Sequence, residues 1–357
     1  MPDFDYIIIG GGCAGLSLAY NLEINGILAT KSLAIIDPRD SYFRDKSWSF
    51  WKIFNHNFED CVTKNWYQFD VKIPNAKRRL DCKRFPYQMI DSGLFYEKIL
   101  DKLRKNPNVV FLQNESGINK VGSVIFNSVY NKNNLTETAM WQHFEGYEIE
   151  VEEDIFNEEI VTLMDFDCDQ KGSTHFFYIL PFSKTNALIE STWLSKMTDP
   201  SEQNYDQQIS HYIEKKLNIG NYKIKYKENG KIPMFEINSD IEDNIINIGT
   251  AGGMTRLSTG YTFLNIQQQC EYILKNLDEI TTKRPFKIPK KYQYLDKIFL
   301  SVMDKNPQRM PAIFFEMFGC NPETIIKFLS NKSNFISDIS IISAMPKKPF
   351  IRAIIGR

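Results

Sequence analysis

Three glycines near the start of the chain have the spacing of a phosphate cradle. Gly10, Gly12 and Gly15 form Gly-x-Gly-x-x-Gly, with Gly11, Cys13 and Ala14 between them. Gly10 permits a tight turn, Gly12 lets a pyrophosphate approach the backbone, and Gly15 lets a helix pack closely on a strand. The phosphates would meet the positive end of that helix. Asp37 stands 22 residues beyond Gly15, where an acid can hold a ribose hydroxyl. Pro38 and Arg39 follow it as the chain leaves the sheet edge. A second glycine-rich turn, Gly249-Thr250-Ala251-Gly252-Gly253, runs on to Thr259-Gly260-Tyr261. Its amides would point at another part of the same cofactor. Two such turns at opposite ends of one chain fit a flavin dinucleotide lying across a domain. A simple nicotinamide dehydrogenase would not need the second turn.

The flanking residues supply the elements these turns require. Tyr6–Ile9 is an apolar, β-branched run that reads as a buried parallel strand. Ala14, Leu18, Ala19 and Leu22 then share one face at helical spacing. Leu33–Ile36 makes a second strand that ends at Asp37. Asp91 or Ser92 can cap a helix carrying Leu94, Phe95, Ile99, Leu100 and Leu103, and Asn106-Pro107-Asn108 stops it before a strand at Val109–Leu112. Runs over 141–150, 161–166, 176–180 and 186–193 read as a mixed or antiparallel sheet inserted between the nucleotide-binding halves. A helix is expected over 205–217. The strand at 245–248 leads into the second turn and a helix bearing Phe263, Leu264, Ile266 and Ile273. Beyond Pro289 the chain is helical and aromatic-rich. The expected class is therefore α/β, with a Rossmann-like FAD-binding part in 1–60, 100–140 and 240–285. Residues 61–99 and 141–239 form an inserted substrate-binding part, and 286–357 a helical one, all in one flavoprotein unit.

Composition narrows the function. The 357 residues carry a net charge of −1, so general nucleic-acid binding is not expected. Aromatic content of 13% suits a large apolar pocket or an aromatic core. Trp48, Phe50 and Trp51 can be read as a strand packing on the core, or as an aromatic wall with Trp48 beside flavin or substrate. Six scattered cysteines with no Cys-x-x-Cys read as reduced thiols, and four dispersed histidines suggest no metal site. The nucleotide strand begins too early for a signal peptide, and no apolar run of about 18 residues is present to span a bilayer. A cytoplasmic protein is expected. The basic and apolar segment Pro346-Lys347-Lys348-Pro349-Phe350-Ile351-Arg352 can pack on the domain or touch an anionic membrane.

Several blocks in order resemble the flavin-containing lycopene cyclases of bacteria and plants. They are the opening glycine turn, Phe43-Arg44-Asp45-Lys46-Ser47-Trp48-Ser49-Phe50-Trp51, Gln142-His143-Phe144-Glu145-Gly146 and Thr162-Leu163-Met164-Asp165-Phe166. Tyr178-Ile179-Leu180-Pro181, Ala187-Leu188-Ile189-Glu190-Ser191-Thr192 and the stretch from Gly249 through Tyr261 complete the set. The resemblance implies a lycopene β-cyclase, with lycopene or a related acyclic carotenoid as substrate, peripheral contact with membrane lipid, and FAD active in its reduced form. NADPH or another donor would reduce it. Glu190 matches the family's catalytic acid. Ser191 stands where the family usually has a second acid, so a two-carboxylate scheme loses weight. Glu228 matches another family acid, whose role can be structural. Thr250 replaces an Asp common in related flavoproteins, so pyrophosphate and ribityl contacts are expected mainly from amides. On residue type alone Glu190 could equally lie on an exposed strand face. An FAD- and NADPH-dependent monooxygenase or reductase of an apolar isoprenoid is the alternative reading, and a catalytically idle flavoprotein a third.

Overall fold

The opening run is short and wholly apolar because the strand it forms is covered on both faces. The computed structural model describes residues 3–130, 136–199, 204–237 and 244–355. Strands and helices are numbered along the chain. β1 (Tyr6–Ile9), β2 (Leu33–Ile36), β8 (Val109–Leu112), β9 (Val124–Asn127) and β15 (Ile245–Asn247) form a parallel sheet in the order β15-β9-β1-β2-β8. Tyr6, Ile8, Leu33 and Ile35 face the core built by α1 (Cys13–Ile24), α2 (Ser92–Leu103) and α4 (Phe263–Lys275), whereas Ile7, Ala34, Ile36 and Ile125 form a smaller cluster on the other face. Asp91 caps α2, its carboxylate accepting the Gly93 and Leu94 amides.

The larger sheet runs β14 (Lys223–Pro233), β10 (Met140–Glu150), β13 (Asn186–Lys196), β12 (Thr174–Pro181), β11 (Ile160–Asp165), β5 (Gln68–Ile73), β6 (Ala76–Asp81). Only the β11–β5 pair is parallel among its described ladders. A small antiparallel sheet, β3 (Ser47–Trp51), β7 (Tyr87–Asp91) and β4 (Val62–Trp66), links the two. The expected middle strands are all present. β5 and β6 have no clear sequence signal because β6 is a charged edge, Ala-Lys-Arg-Arg-Leu-Asp, with Arg79 forked onto Asp70 at 2.8 and 2.9 Å.

Two covers bury the large sheet. One face packs against α3 (Tyr205–His211) through Tyr147, Ile149, Phe177, Ile179 and Ile189. The expected single helix over 205–217 instead changes winding at Tyr212–Lys216, a π turn. The other face meets the C-terminal helices: α5 (Lys290–Lys305), α6 (Met310–Met317), α7 (Pro322–Leu329), α8 (Phe335–Ala344) and α9 (Lys347–Ile355).

One buried cation ties this helical part to the second glycine turn. Arg256 is 1% exposed. Its Nε donates to Asp296 on α5 at 3.1 Å, and its Nη1 donates to the Phe328 carbonyl and to Asn331 Oδ1. A buried charge stripped of its partner is costly. Asp296→Ala is therefore expected to destabilise the fold by about 3–5 kcal/mol, read as a lower urea midpoint, with Asp296→Asn less damaging.

Candidate active site

Strand alternation decides which side chains can act together. Residues directly opposite in neighbouring strands share a face. Tyr178 on β12 pairs with Glu190 on β13, Glu190 with Gly146 on β10, and Gly146 with Glu228 on β14. These four positions thus make one row across the sheet, and Gly146 separates the two acids. A side chain at Gly146 would start 3.4 Å from Glu190 Cβ and 3.2 Å from Leu188 Cδ1. The glycine keeps the floor between the carboxyls low.

This row floors a cavity of about 660 Å³, large enough for an extended apolar ligand segment. Leu188, Thr192 and Leu194 continue the same face of β13, while Phe144, Phe176 and Phe318 add aromatic walls. Ser191 points to the other side, toward α3, where its hydroxyl donates to Gln208 at 2.9 Å and meets His175 Nε2 at 2.9 Å. The position where the family's second acid would stand is therefore behind the sheet. The second acid in the cavity is Glu228, two strands away.

Both carboxyls are buried, Glu190 at 8% and Glu228 at 4% exposure, and neither forms an ion pair among the described residues. Burial first, and the Glu228 carboxylate second, push Glu190 up to about 8, although the Thr192 hydroxyl donates to it and pulls the other way. Burial likewise pushes Glu228 up to about 7, against the Ser47 hydroxyl, the Arg44 and Lys46 cations and the Tyr226 hydroxyl, which donates to it at 3.3 Å. Arg44 itself is engaged by Asp91 at 2.8 Å and Glu148 at 2.7 Å, and lies 3.9 Å over the Tyr226 ring. Beside Glu190, Tyr178 donates its hydroxyl hydrogen bond to Tyr87.

The opposite wall is built by the glycine turns. Gly12, Cys13, Ala14 and Thr250 line the cavity, as do Trp48, Gly260 and Tyr261. A side chain at Gly15 would lie 2.0 Å from the Gly10 carbonyl, and Gly10 itself has φ +94°, so the turn needs glycine at both places. The two turns touch: a side chain at Gly249 would fall 2.5 Å from Ala14 Cβ. At Gly12 a side chain would meet no atom within 4 Å, and no side chain caps the α1 N-terminus. That cradle of open backbone and free first-turn amides fits a pyrophosphate. Asp37 closes it from behind. Its Oδ2 accepts the Gly11 amide at 2.5 Å, and its Oδ1 accepts the Arg39 amide at 3.0 Å and Nε at 2.8 Å. Burial opposes its ionisation, but Arg39 and these amides outweigh that and hold it below the ordinary 3.8.

Not every expected cofactor residue reaches the cavity. Pro38 is exposed and Arg39 half-buried with its Nη2 on the Gly11 carbonyl, neither lining the cavity, and Ala251 is buried within the second turn. Gly252 packs against the Asn247 carbonyl, and Gly253 has φ +75°. Of the aromatic block, Trp48 faces the cavity and rests edge-on against Phe95 at 5.0 Å, whereas Phe50 and Trp51 fill the two main cores. Gly146, Tyr178 and Thr192 carried no assigned role in the sequence reading. Thr192 shares the face of Glu190 by strand alternation alone, whereas the cross-strand relation of Gly146 and Tyr178 to Glu190 is visible only once the register is known.

A profile of the family described as lycopene cyclase protein matches residues 5–355. A curated relative, the chloroplastic lycopene beta cyclase of an Oncidium hybrid cultivar, is 24% identical over 298 residues, covering 73% of this chain. The chain spans only 61% of that relative's length. Among solved structures, a geranylgeranyl bacteriochlorophyll reductase-like protein from Thermoplasma acidophilum superposes with a TM-score of 0.65 at 10% identity, over 99% of this chain and 98% of that one. A flavin-dependent brominase superposes with a TM-score of 0.62 at 13% identity, over 92% and 94%. The fold is thus the α/β flavoprotein fold expected from the sequence.

The buried acids have a consequence for stability. Below the ordinary glutamate value of 4.5 the group is protonated folded or unfolded. Between 4.5 and about 8 the folded state retains a proton that the unfolded chain has released, so stability falls as pH rises. Glu190→Gln removes that penalty. The variant is expected to match the parent at pH about 4.5 and to exceed it at pH about 8.5 by on the order of 4 kcal/mol, measured by urea melts at both pH values.

Proposed function

The chain belongs to the lycopene cyclase family, and from that premise we propose that it is an FAD-dependent lycopene β-cyclase working at a cytosolic membrane face. The observation that carries this reading is the pair of buried carboxyls, without an ion-pair partner among the described residues, in a mostly apolar, aromatic-walled cavity opposite the two glycine turns. The proposed reaction converts acyclic carotenoid end groups to β-ionone rings without net oxidation or reduction.

Gly10, Gly12, Gly15 and Asp37 would hold the ADP half of the cofactor. Gly249 to Gly253 with Gly260 would approach its ribityl and ring portion. When bound and reduced by NADPH or another donor, FAD would supply electron density that favours nearby positive charge. The remaining chemistry belongs to the protein. Glu190, the more strongly raised of the two acids, holds a proton at neutral pH. It gives that proton to the terminal alkene, leaving a tertiary carbocation. The neighbouring double bond attacks this cation, so one carbon–carbon bond closes the ring and the charge moves onto it. The Glu228 carboxylate then takes a ring proton as the new double bond forms. The pair ends with the proton exchanged from Glu190 to Glu228, and its return to Glu190 resets the site. Phe144, Phe176 and Tyr178 offer aromatic rings to the passing charge, and the mostly apolar lining limits the water that could trap it.

The test is conversion of lycopene by reduced enzyme, run once without oxygen and once in air, with pigments separated, NADPH followed in both arms and oxygen uptake in the aerobic one. Cyclic product without stoichiometric NADPH or oxygen consumption is expected. Consumption matching product would establish the monooxygenase or reductase instead. Glu190→Gln is expected to keep the bound flavin's absorbance and to lose about 10²–10⁴-fold in turnover, the usual worth of a general acid. Retained cyclisation in that variant would remove Glu190 from the mechanism. Turnover should fall as pH rises through about 8, where Glu190 loses its proton. In Glu228→Gln the like charge is gone, so any residual activity should fall off at a lower pH than in the parent.

A further inference from the structure

Seven of the seventeen large apolar side chains exposed among the described residues lie on the last two helices. On α8 they are Phe335 at 76%, Ile336 at 78%, Ile339 and Ile342; on α9 they are Ile351, Ile354 and Ile355. The helices are already anchored by other faces. Ile341 and Met345 enter the core, and Phe350 and Ala353 pack against it. The exposed residues are therefore surplus to folding, and so many together mark an interaction face.

The charges around this face say what covers it. Lys347, Lys348 and Arg352 are exposed, and none joins an ion pair with a described residue. Asp338, the one acid on these helices, is buried and held by Lys291 at 2.8 Å. The outer surface thus combines isoleucines with uncompensated cations, the composition of a helix that lies in an anionic lipid interface. A second copy of the chain fits less well, since a two-fold contact would bring both cationic sets together. With 10 and 9 residues, the helices can lie in a membrane surface but cannot cross it.

Behind the face is a second, smaller cavity of about 100 Å³. Ile342 and Ile354, both exposed on the outside, form its outer lining. Phe314, Met317 and Leu329 line it from within and also line the large cavity of the acid pair. We propose that α8 and α9 dock on an anionic lipid bilayer, and that this apolar cavity is the port through which a hydrocarbon passes from lipid to the acids. The bilayer part stands on the helices alone; the port rests on the proposed hydrocarbon substrate.

The test uses the full chain and flotation with vesicles of phosphatidylcholine, with or without phosphatidylglycerol, at low and high salt. The parent is expected to float with the anionic vesicles and to release at high salt. Ile336→Asp/Ile354→Asp and Lys347→Glu/Lys348→Glu, all at exposed positions, should each weaken binding by about tenfold or more. Ile342→Trp fills the port; it should float normally yet turn over vesicle-borne lycopene at least about tenfold more slowly than detergent-dispersed lycopene, relative to the parent. A parent that does not float, or variants that float like it, overturns the docking face. Variants that instead abolish a lipid-free dimer overturn it in favour of a second copy. An Ile342→Trp enzyme with parental rates in both assays overturns the port. If flotation behaves as expected but lycopene is untouched in detergent and vesicles alike, the function proposed above fails and the docking face stands.

Discussion

Two ionisable groups held in a dry place are the constraint on which this molecule turns. Glu190 and Glu228 sit on one face of one sheet, and no cation among the described residues forms an ion pair with either. In water each would ionise below neutrality. Here each is kept toward its neutral form by burial, and Glu190 also by the proximity of a like charge. The arrangement is unfavourable for folding above the ordinary glutamate range and must be supported by the surrounding structure. β13 supplies much of that support. Its residues from Ala187 through Ser195 are all buried, with α3 on one face and the cavity walls and C-terminal helices on the other. An exposed sheet face would have allowed water to reach the acids and return them to ordinary titration.

The glycines define the other half of the constraint. At 146 a missing side chain leaves the two acids looking across a low floor. At 249 a missing side chain lets the second turn close onto Ala14, so both turns form one wall. At 12 it leaves backbone amides accessible at a helix end without a side-chain cap. Arg256 then fixes the second turn to the helices that roof the cavity, through Asp296 and the end of α7. The wall that would carry the cofactor and the roof that would carry the hydrocarbon are thus joined through a buried guanidinium, and the Ser258 hydroxyl adds a second tie by donating to the same Asp296 carboxylate at 2.6 Å.

Local apolar runs made part of this legible from sequence alone. β1 and β2 have the bounds expected, since a doubly covered parallel strand is a continuous hydrophobic word in the sequence, and β8, though an edge strand with Val110 exposed, keeps an apolar run of the expected length. The first turn was readable because its glycine spacing reflects close backbone approaches. What was hidden depends on register between distant segments. Nothing in the block around Glu228 shows that it lies opposite Gly146, or that Gly146 lies opposite Glu190. Tyr178 carries no mark distinguishing it from its neighbours. Arg256 looks like any loop arginine until its three partners, all at least 40 positions away, surround it. β6 was illegible for a different reason: an edge strand is stabilised by its ladder and its ion pairs, not by an apolar pattern.

The replacement at Ser191 shows how much register decides. Read along the chain, it removes an acid adjacent to Glu190 and weakens a two-carboxylate scheme. Read across the sheet, adjacency is the wrong neighbourhood, because consecutive residues of a strand face opposite ways. An acid at 191 would lie among His175, Gln208 and Trp193 on the α3 side, hydrogen-bonded but shut off from the cavity. Ser191 bonds His175 and Gln208 there without adding a buried charge. The pairing that matters to Glu190 runs perpendicular to the strand, through Gly146 to Glu228, and that pairing is intact. A chain can therefore depart from its family at a neighbouring letter and still keep both acids together on one face of the cavity, the arrangement that the proposed proton exchange requires.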